Sequence, residues 1–128
     1  MATEKLAGLN ILILEDEYLI AMDVEHLCLE HGAAEVSIVS DLSAAGSPSD
    51  LPPFDVAVLD LMLNGHSTLG FAAQLRDRGV PFVFATGYAS LDDQAADFLD
   101  IAIVSKPYSG IDLVEALVAA LRKDATTA

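Results

Sequence analysis

The stretch Asn10-Ile11-Leu12-Ile13-Leu14-Glu15-Asp16 decides the fold, because it is a short apolar run that ends in two acids. A run of this length and composition is typical of a strand buried on both faces of a parallel sheet. The pattern recurs in the runs 56–59, 82–85 and 101–104, which are followed by Asp60, by Thr86 and, one residue further on, by Lys106. Four buried strands with polar ends are therefore expected.

Helical patterns alternate with these runs. A helix over residues 17–31 follows the first strand, a strand over 36–39 comes next, and Asp41 is placed to cap a short second helix. Later helices are expected up to Arg78, over residues 91–98, and from Ser109 to a loose tail at 125–128. This alternation predicts an α/β fold of the flavodoxin-like (βα)5 type, a doubly wound parallel sheet with strand order 2-1-3-4-5.

The polar residues at the strand ends indicate a chemical site. In an open α/β sheet, ligands bind in the groove outside the carboxyl ends of the strands, where Glu15, Asp16, Asp60, Thr86 and Lys106 would meet. Each residue also has a simpler explanation: the acids after the first strand could complement a helix dipole, the threonine could be a cap, and the lysine could be a solvated turn residue. All four strand ends together favour the site.

Length and composition limit the possible functions. The chain has 128 residues, 53% of them apolar, so a single domain with its core at about residues 9–123 is expected. With 20 acidic and 6 basic residues the net charge is −14, which argues against binding to nucleic acid. We find neither a membrane-spanning run nor a signal peptide, and the single Cys28 suits a reducing compartment, so a cytoplasmic location is expected.

Four motifs in order resemble the receiver domain of two-component response regulators. They are the stretches 12–17 and 55–60, then Thr86, then Lys106-Pro107-Tyr108, and the intervals of 44, 26 and 20 residues between Asp16, Asp60, Thr86 and Lys106 fit that family. A narrower resemblance lies in Pro81-Phe82-Val83-Phe84-Ala85-Thr86-Gly87-Tyr88 and in Asn64-Gly65, which replaces the usual proline. These stretches are similar to the FATGUY-type stand-alone receivers of alphaproteobacteria.

The resemblance implies a phosphorylation site. Asp60 would be the phosphoacceptor, and Mg2+ would be held by Glu15, Asp16, Asp60 and the backbone carbonyl of Met62. Lys106 and Thr86 would contact the phosphoryl group, and the Lys106–Pro107 peptide bond would be cis. The implied partners are a sensor histidine kinase of the HWE class and a downstream protein, in general stress signalling. The chain would be a signalling phosphoacceptor rather than an enzyme, although it would assist its own phosphorylation and dephosphorylation.

Two positions depart from the pattern of most receivers. Ile103 stands where a switch aromatic is usual, so Tyr88 is the candidate to couple with Thr86 when the phosphoryl group arrives. Asn64-Gly65 is a flexible turn pair, which predicts a mobile, irregular loop over residues 63–66.

Other functions compete with this one. A Mg2+-dependent phosphatase with an aspartyl nucleophile would need an acid two residues after Asp60, where Met62 stands. A flavin-binding protein would need a phosphate-binding loop after the first strand, where the acids would repel phosphate. An interaction module that is never phosphorylated would not need both Asp60 and Lys106.

Overall fold

A computed structural model describes residues 5–86, 103–105 and 110–127 of the protein. The described elements are, in chain order, β1 (Asn10–Leu14), α1 (Tyr18–Glu30), β2 (Glu35–Val39), α2 (Leu42–Ala45), a 3-10 turn (Pro48–Asp50), β3 (Val56–Asp60), β4 (Met62–Leu63), β5 (His66–Ser67), α3 (Leu69–Asp77), β6 (Phe82–Thr86), β7 (Ile103–Ser105) and α4 (Gly110–Thr127). The predicted helix at 91–98 and the predicted cap Ser109 lie outside the described residues.

A five-stranded parallel sheet forms the centre of the fold. Its strands lie in the order β2-β1-β3-β6-β7, and the short strands β4 and β5 form a separate antiparallel pair. Without that pair the order is 2-1-3-4-5, which confirms the predicted flavodoxin-like fold. The register sets Leu14 beside Leu59 and Asp60 beside Ala85, so the carboxyl ends of β1, β3 and β6 lie next to one another.

Alternate side chains of the sheet enter two core layers, as the pleat of a strand requires. One layer packs Ile11, Ile13 and Val58 against α1 and α4. The other packs Leu12, Leu14, Leu59 and Phe84 against α3 and the segment after Asp60. Because helices cover both faces, the central strands β1, β3 and β6 are almost entirely apolar, which is what made them recognisable in the sequence.

Several element boundaries differ from the sequence expectation. The third strand is expected over residues 55–59 but spans Val56–Asp60, because Asp60 still pairs with Ala85 in the ladder. The expected tail after residue 124 is wrong as far as Thr127, since α4 continues through that residue. Among the described residues, no helix has both the length and the apolar character required to cross a bilayer.

The short second helix begins as predicted. The Asp41 carboxylate accepts hydrogen bonds from the hydroxyl of Ser43 at 2.7 Å and from its backbone N–H at 2.8 Å. These two donors, the hydroxyl first, lower the pKa of Asp41 below its ordinary value, and His66 adds a smaller electrostatic contribution. Gly46 ends the helix with φ of 64°, a conformation that favours glycine.

Cys28 lies fully buried in the layer between the sheet and α1. Burial disfavours the thiolate and raises the pKa of its thiol from the ordinary value of 9.0 to about 12. This thiol is therefore a packing group, and it stays protonated in the folded protein at neutral pH.

We expect the free energy of unfolding to fall more steeply in the wild type than in Cys28→Ala as the pH rises from about 9 to 12. In that interval the unfolded chain has released the thiol proton and the folded chain has kept it, so alkali favours unfolding. Urea titrations of both proteins at several pH values measure the difference between their free energies of unfolding. The ionisation of tyrosines and lysines affects both proteins alike and cancels in this difference. Parallel pH curves for the two proteins would contradict the assignment.

Candidate functional site

Three carboxylates converge at the carboxyl ends of β1 and β3. Glu15 and Asp16 directly follow β1, and Asp60 is the last residue of β3. Because these two strands are parallel neighbours, one oxygen atom from each of the three side chains lies within 4.8 Å of the others. Glu15 and Asp60 are only 3% and 8% exposed, and Asp16 is half-buried. We call these three residues the acidic cluster.

Each carboxylate of the acidic cluster accepts a hydrogen bond from a backbone amide. The N–H of Glu17 donates to Oε2 of Glu15 at 3.1 Å, and the N–H of Met62 donates to Oδ1 of Asp60 at 3.3 Å. The third donor is the N–H of Asn64, 2.9 Å from Oδ2 of Asp16. Such charge-assisted bonds hold the carboxylates in place, and they offset part of the repulsion among three like charges.

The chemistry of the acidic cluster suits a hard divalent cation. Every side chain in it offers carboxylate oxygen, the donor that Mg2+ prefers, and the atoms are close enough to share one ion. Partial burial strengthens the attraction between the cation and the carboxylates, because less water screens it. The donor set therefore fits Mg2+.

The segment after Asp60 is a β-hairpin, which corrects the expectation of an irregular loop. Strands β4 and β5 pair Met62 with Ser67 and Leu63 with His66. Asn64 and Gly65 form the turn with φ of 51° and 81°, as in the type I′ turns that Asn-Gly favours. Leu63 is fully buried in the α3 layer and anchors the hairpin.

Thr68 is a residue near the site that the sequence did not reveal. It is fully buried, and its hydroxyl donates to the carbonyl oxygen of Asp60 at 2.5 Å. The carbonyl oxygen of Leu61 lies 3.2 Å from the same hydroxyl. It precedes α3, where a threonine usually caps the helix, but its side chain makes no cap bond. The hydroxyl instead holds the backbone of Asp60, whose carboxylate belongs to the acidic cluster.

Two of the remaining predicted site residues, Thr86 and Ile103, lie on neighbouring strands of the sheet. Along the backbone, Thr86 pairs with Ser105, and Ile103 pairs with Phe84. Thr86 follows Ala85, the partner of Asp60 across the ladder, so its backbone lies at the same edge of the sheet. Tyr88, Lys106, Pro107 and Tyr108 lie outside the described residues, and so does the peptide bond expected to be cis.

Sequence comparison relates most of the chain to signalling proteins. No model of a known protein family matches it. The sensory transduction protein RegX3 of Mycobacterium tuberculosis is 35% identical over 118 residues, which are 89% of this chain and 51% of that protein. The response regulator ArlR of Staphylococcus epidermidis is 32% identical over 117 residues, or 89% of this chain and 53% of ArlR. The chain thus spans about half the length of the curated relatives it matches.

Structural comparison agrees on the fold. A response regulator receiver protein from Sinorhizobium medicae superposes with a TM-score of 0.79 at 24% identity, covering 91% of this chain and 97% of that one. At this level of identity the likeness concerns the fold alone.

We expect Mg2+ to raise the melting temperature of the wild-type protein. A ligand that binds the folded state at ten times its Kd adds about 1.4 kcal/mol, a rise of about 5 °C for a domain of this size. In EDTA the Asp60→Asn variant should melt above the wild type, because one of three like charges is gone, and its response to Mg2+ should be smaller. Calorimetry at constant ionic strength, adjusted with NaCl, separates binding from screening. A wild-type melt that does not respond to Mg2+ would refute the assignment.

Replacing Thr68 with valine should reduce the free energy of unfolding by about 1 to 3 kcal/mol, because the hydrogen bond from the Thr68 hydroxyl to the carbonyl of Asp60 is lost in a buried place. Thr68→Ser keeps the hydroxyl and is the matched control; it should lose less than the valine variant. Urea unfolding in EDTA measures both. If serine proves the more harmful substitution, the methyl group and not the hydroxyl is what the site needs.

Proposed function

Since this chain contains a receiver domain of the response regulator type, we propose that it is a phosphorylation switch whose phosphoacceptor is Asp60. The observation that carries the proposal is the position of this carboxylate, at the end of the central strand β3 and within 4.8 Å of two other acids. A sensor histidine kinase is the proposed donor. In the transfer, a carboxylate oxygen of Asp60 forms a bond to phosphorus while the bond from the kinase histidine nitrogen to phosphorus breaks, and the nitrogen keeps the electron pair.

Charge is the main obstacle to this reaction, because an anionic nucleophile must approach an anionic phosphoryl group. We propose that Glu15, Asp16, Asp60 and the backbone carbonyl of Met62 hold Mg2+, which supplies the neutralising charge when bound. The chain itself orients the acids: backbone amides of Glu17 and Met62 fix the first and the last of them. The hydroxyl of Thr68 holds the carbonyl of Asp60 and so sets the direction of the nucleophile.

Two further residues complete the proposed phosphorylation site. Lys106, shortly after β7, would bind a phosphoryl oxygen through its ammonium group, and Thr86, at the end of β6, would donate a hydrogen bond to another. Movement of Thr86 toward the new charge is the proposed start of the switch. With Ile103 in the position of the usual aromatic, Tyr88 is the proposed second member of that switch.

The finer assignment rests on two stretches of sequence. Residues 81–88 and the Asn64-Gly65 pair support membership of the FATGUY-type receivers, and with it an HWE-type kinase and a part in general stress signalling. A net charge of −14 favours output through contacts with a downstream protein over direct contacts with nucleic acid.

The test is phosphorylation by a small donor. Incubated with acetyl phosphate and Mg2+, the protein should gain the mass of one phosphoryl group on the peptide that contains Asp60, and EDTA should prevent the gain. Asp60→Asn should abolish it, since an amide cannot form the acyl phosphate. Asp55→Asn is the matched control: Asp55 accepts a hydrogen bond from Asn10, lies just before β3 and is not part of the acidic cluster, so this variant should be phosphorylated normally. Phosphoryl gain that persists in Asp60→Asn would overturn the proposal.

A further inference from the structure

Asn64 joins three segments that are distant in sequence. Its backbone N–H donates to Oδ2 of Asp16 at 2.9 Å, and its side-chain Nδ2 donates to the carbonyl oxygen of Ser40 at 2.7 Å. Asp16 follows β1, Ser40 follows β2, and Asn64 itself is the tip of the hairpin that follows Asp60. One exposed residue thus connects an acid of the acidic cluster with the loop at the edge of the sheet.

The conformation of Asn64 makes this bridge possible. Its φ of 51° is in the left-handed region, which asparagine tolerates better than most residues and which turns the peptide N–H toward Asp16. The partner turn residue is Gly65, with φ of 81°, and Leu63 fixes the base of the hairpin in the core. The turn that makes the two hydrogen bonds of Asn64 is therefore anchored to the core.

The bond to Asp16 opposes the repulsion within the acidic cluster. Three carboxylates with oxygens inside 4.8 Å push one another apart, and Asp16 is the least buried of them, so it has the most freedom to turn toward water. A donor at Oδ2 stabilises the charge of Asp16 and restrains the rotation of its carboxylate. A hydrogen-bond partner that orients a ligand in this way typically changes metal affinity by 10- to 100-fold.

We propose that Asn64 is a positioning residue. It holds Asp16 in place for the divalent cation, and it couples the binding of that cation to the hydrogen bond at the carbonyl of Ser40. The inference rests on the proposed function, because it concerns the same acidic cluster. Ser40 precedes Asp41, whose side chain caps α2. A change in the strength of the hydrogen bond at the Ser40 carbonyl therefore affects the first residues of that helix.

Metal binding by variants tests the positioning role. Asn64→Gly keeps the backbone N–H and tolerates the positive φ, but it removes the bond to Ser40 that steadies the turn. We expect its affinity for Mn2+, measured by electron paramagnetic resonance of the free ion, to fall about three- to tenfold. The loss is smaller than for removal of the bond to Asp16, because the N–H remains but the turn that aims it has lost its bond to Ser40. His66→Gly is the matched control, because it places glycine in the same hairpin and leaves both bonds of Asn64 intact; its affinity should stay within about twofold of the wild type. Equal affinities of all three proteins would overturn the inference.

The coupling to the β2 edge is tested on the wild-type chain, so it does not depend on how well a variant folds. The backbone 15N signal of Asp41 reports the hydrogen bond at the Ser40 carbonyl, because the two groups share one peptide unit. During a Mg2+ titration this signal should shift with the same midpoint as the signals of residues 15–17, while the signal of Glu35, at the far end of β2, stays in place. In Asn64→Gly the Asp41 shift should be lost. An unmoved Asp41 signal in a wild-type protein that binds Mg2+ would overturn the coupling.

The two proposals fail in different ways. A wild-type protein that binds neither Mn2+ nor Mg2+ would overturn the proposed function together with the role of Asn64. A wild-type protein that binds the ion and phosphorylates Asp60, with an Asn64→Gly variant of unchanged affinity, would overturn the role of Asn64 alone.

Discussion

The close approach of three carboxylates is the constraint on which the rest of this structure depends. Parallel pairing of β1 with β3 brings Glu15, Asp16 and Asp60 together at one edge of the sheet, with oxygens inside 4.8 Å. Their repulsion opposes folding, and the apolar strands behind them, covered by helices on both faces, hold them in place. The favourable free energy of burying Leu14 and Leu59, directly before the acids, thus offsets the repulsion between the charges.

Backbone amides share the task of holding these charges. Each acid accepts a bond from an N–H whose position is set by local chain geometry: the start of α1 for Glu15, the first residue of the hairpin for Asp60, and its turn for Asp16. Backbone donors lose little freedom when they bind, because the fold has already ordered them. The hairpin is therefore part of the site. Its turn requires positive φ angles, which Asn64 and Gly65 adopt readily.

Sequence patterns predicted the fold well where a long-range rule applied. The apolar strands were recognisable because the sheet is covered on both faces, and the strand order followed from their alternation with helices. Asp41 was identified as a cap for a local reason, since its carboxylate binds an amide two residues on. The presence of acids at two neighbouring strand ends predicted that their side chains would meet.

Other features depended on tertiary contacts that a sequence does not display. Strands β4 and β5 have two residues each, too few for a periodic pattern, and the hairpin owes its anchorage to the burial of Leu63. Thr68 has the residue type of a helix cap, and only the approach of the Asp60 carbonyl diverts its hydroxyl from that role. The end of α4 was placed too early, because helix boundaries leave a weak signal in composition.

The most direct test of this account is to locate a bound paramagnetic ion in solution. Added in small amounts to the 15N-labelled protein, Mn2+ should broaden the amide signals of residues 15–17 and 60–62 together, because both segments surround one shared ion. Excess Mg2+ should restore those signals by displacing it. Broadening of only one of the two segments, or of signals scattered over the acidic surface, would show that the carboxylates do not form a common site.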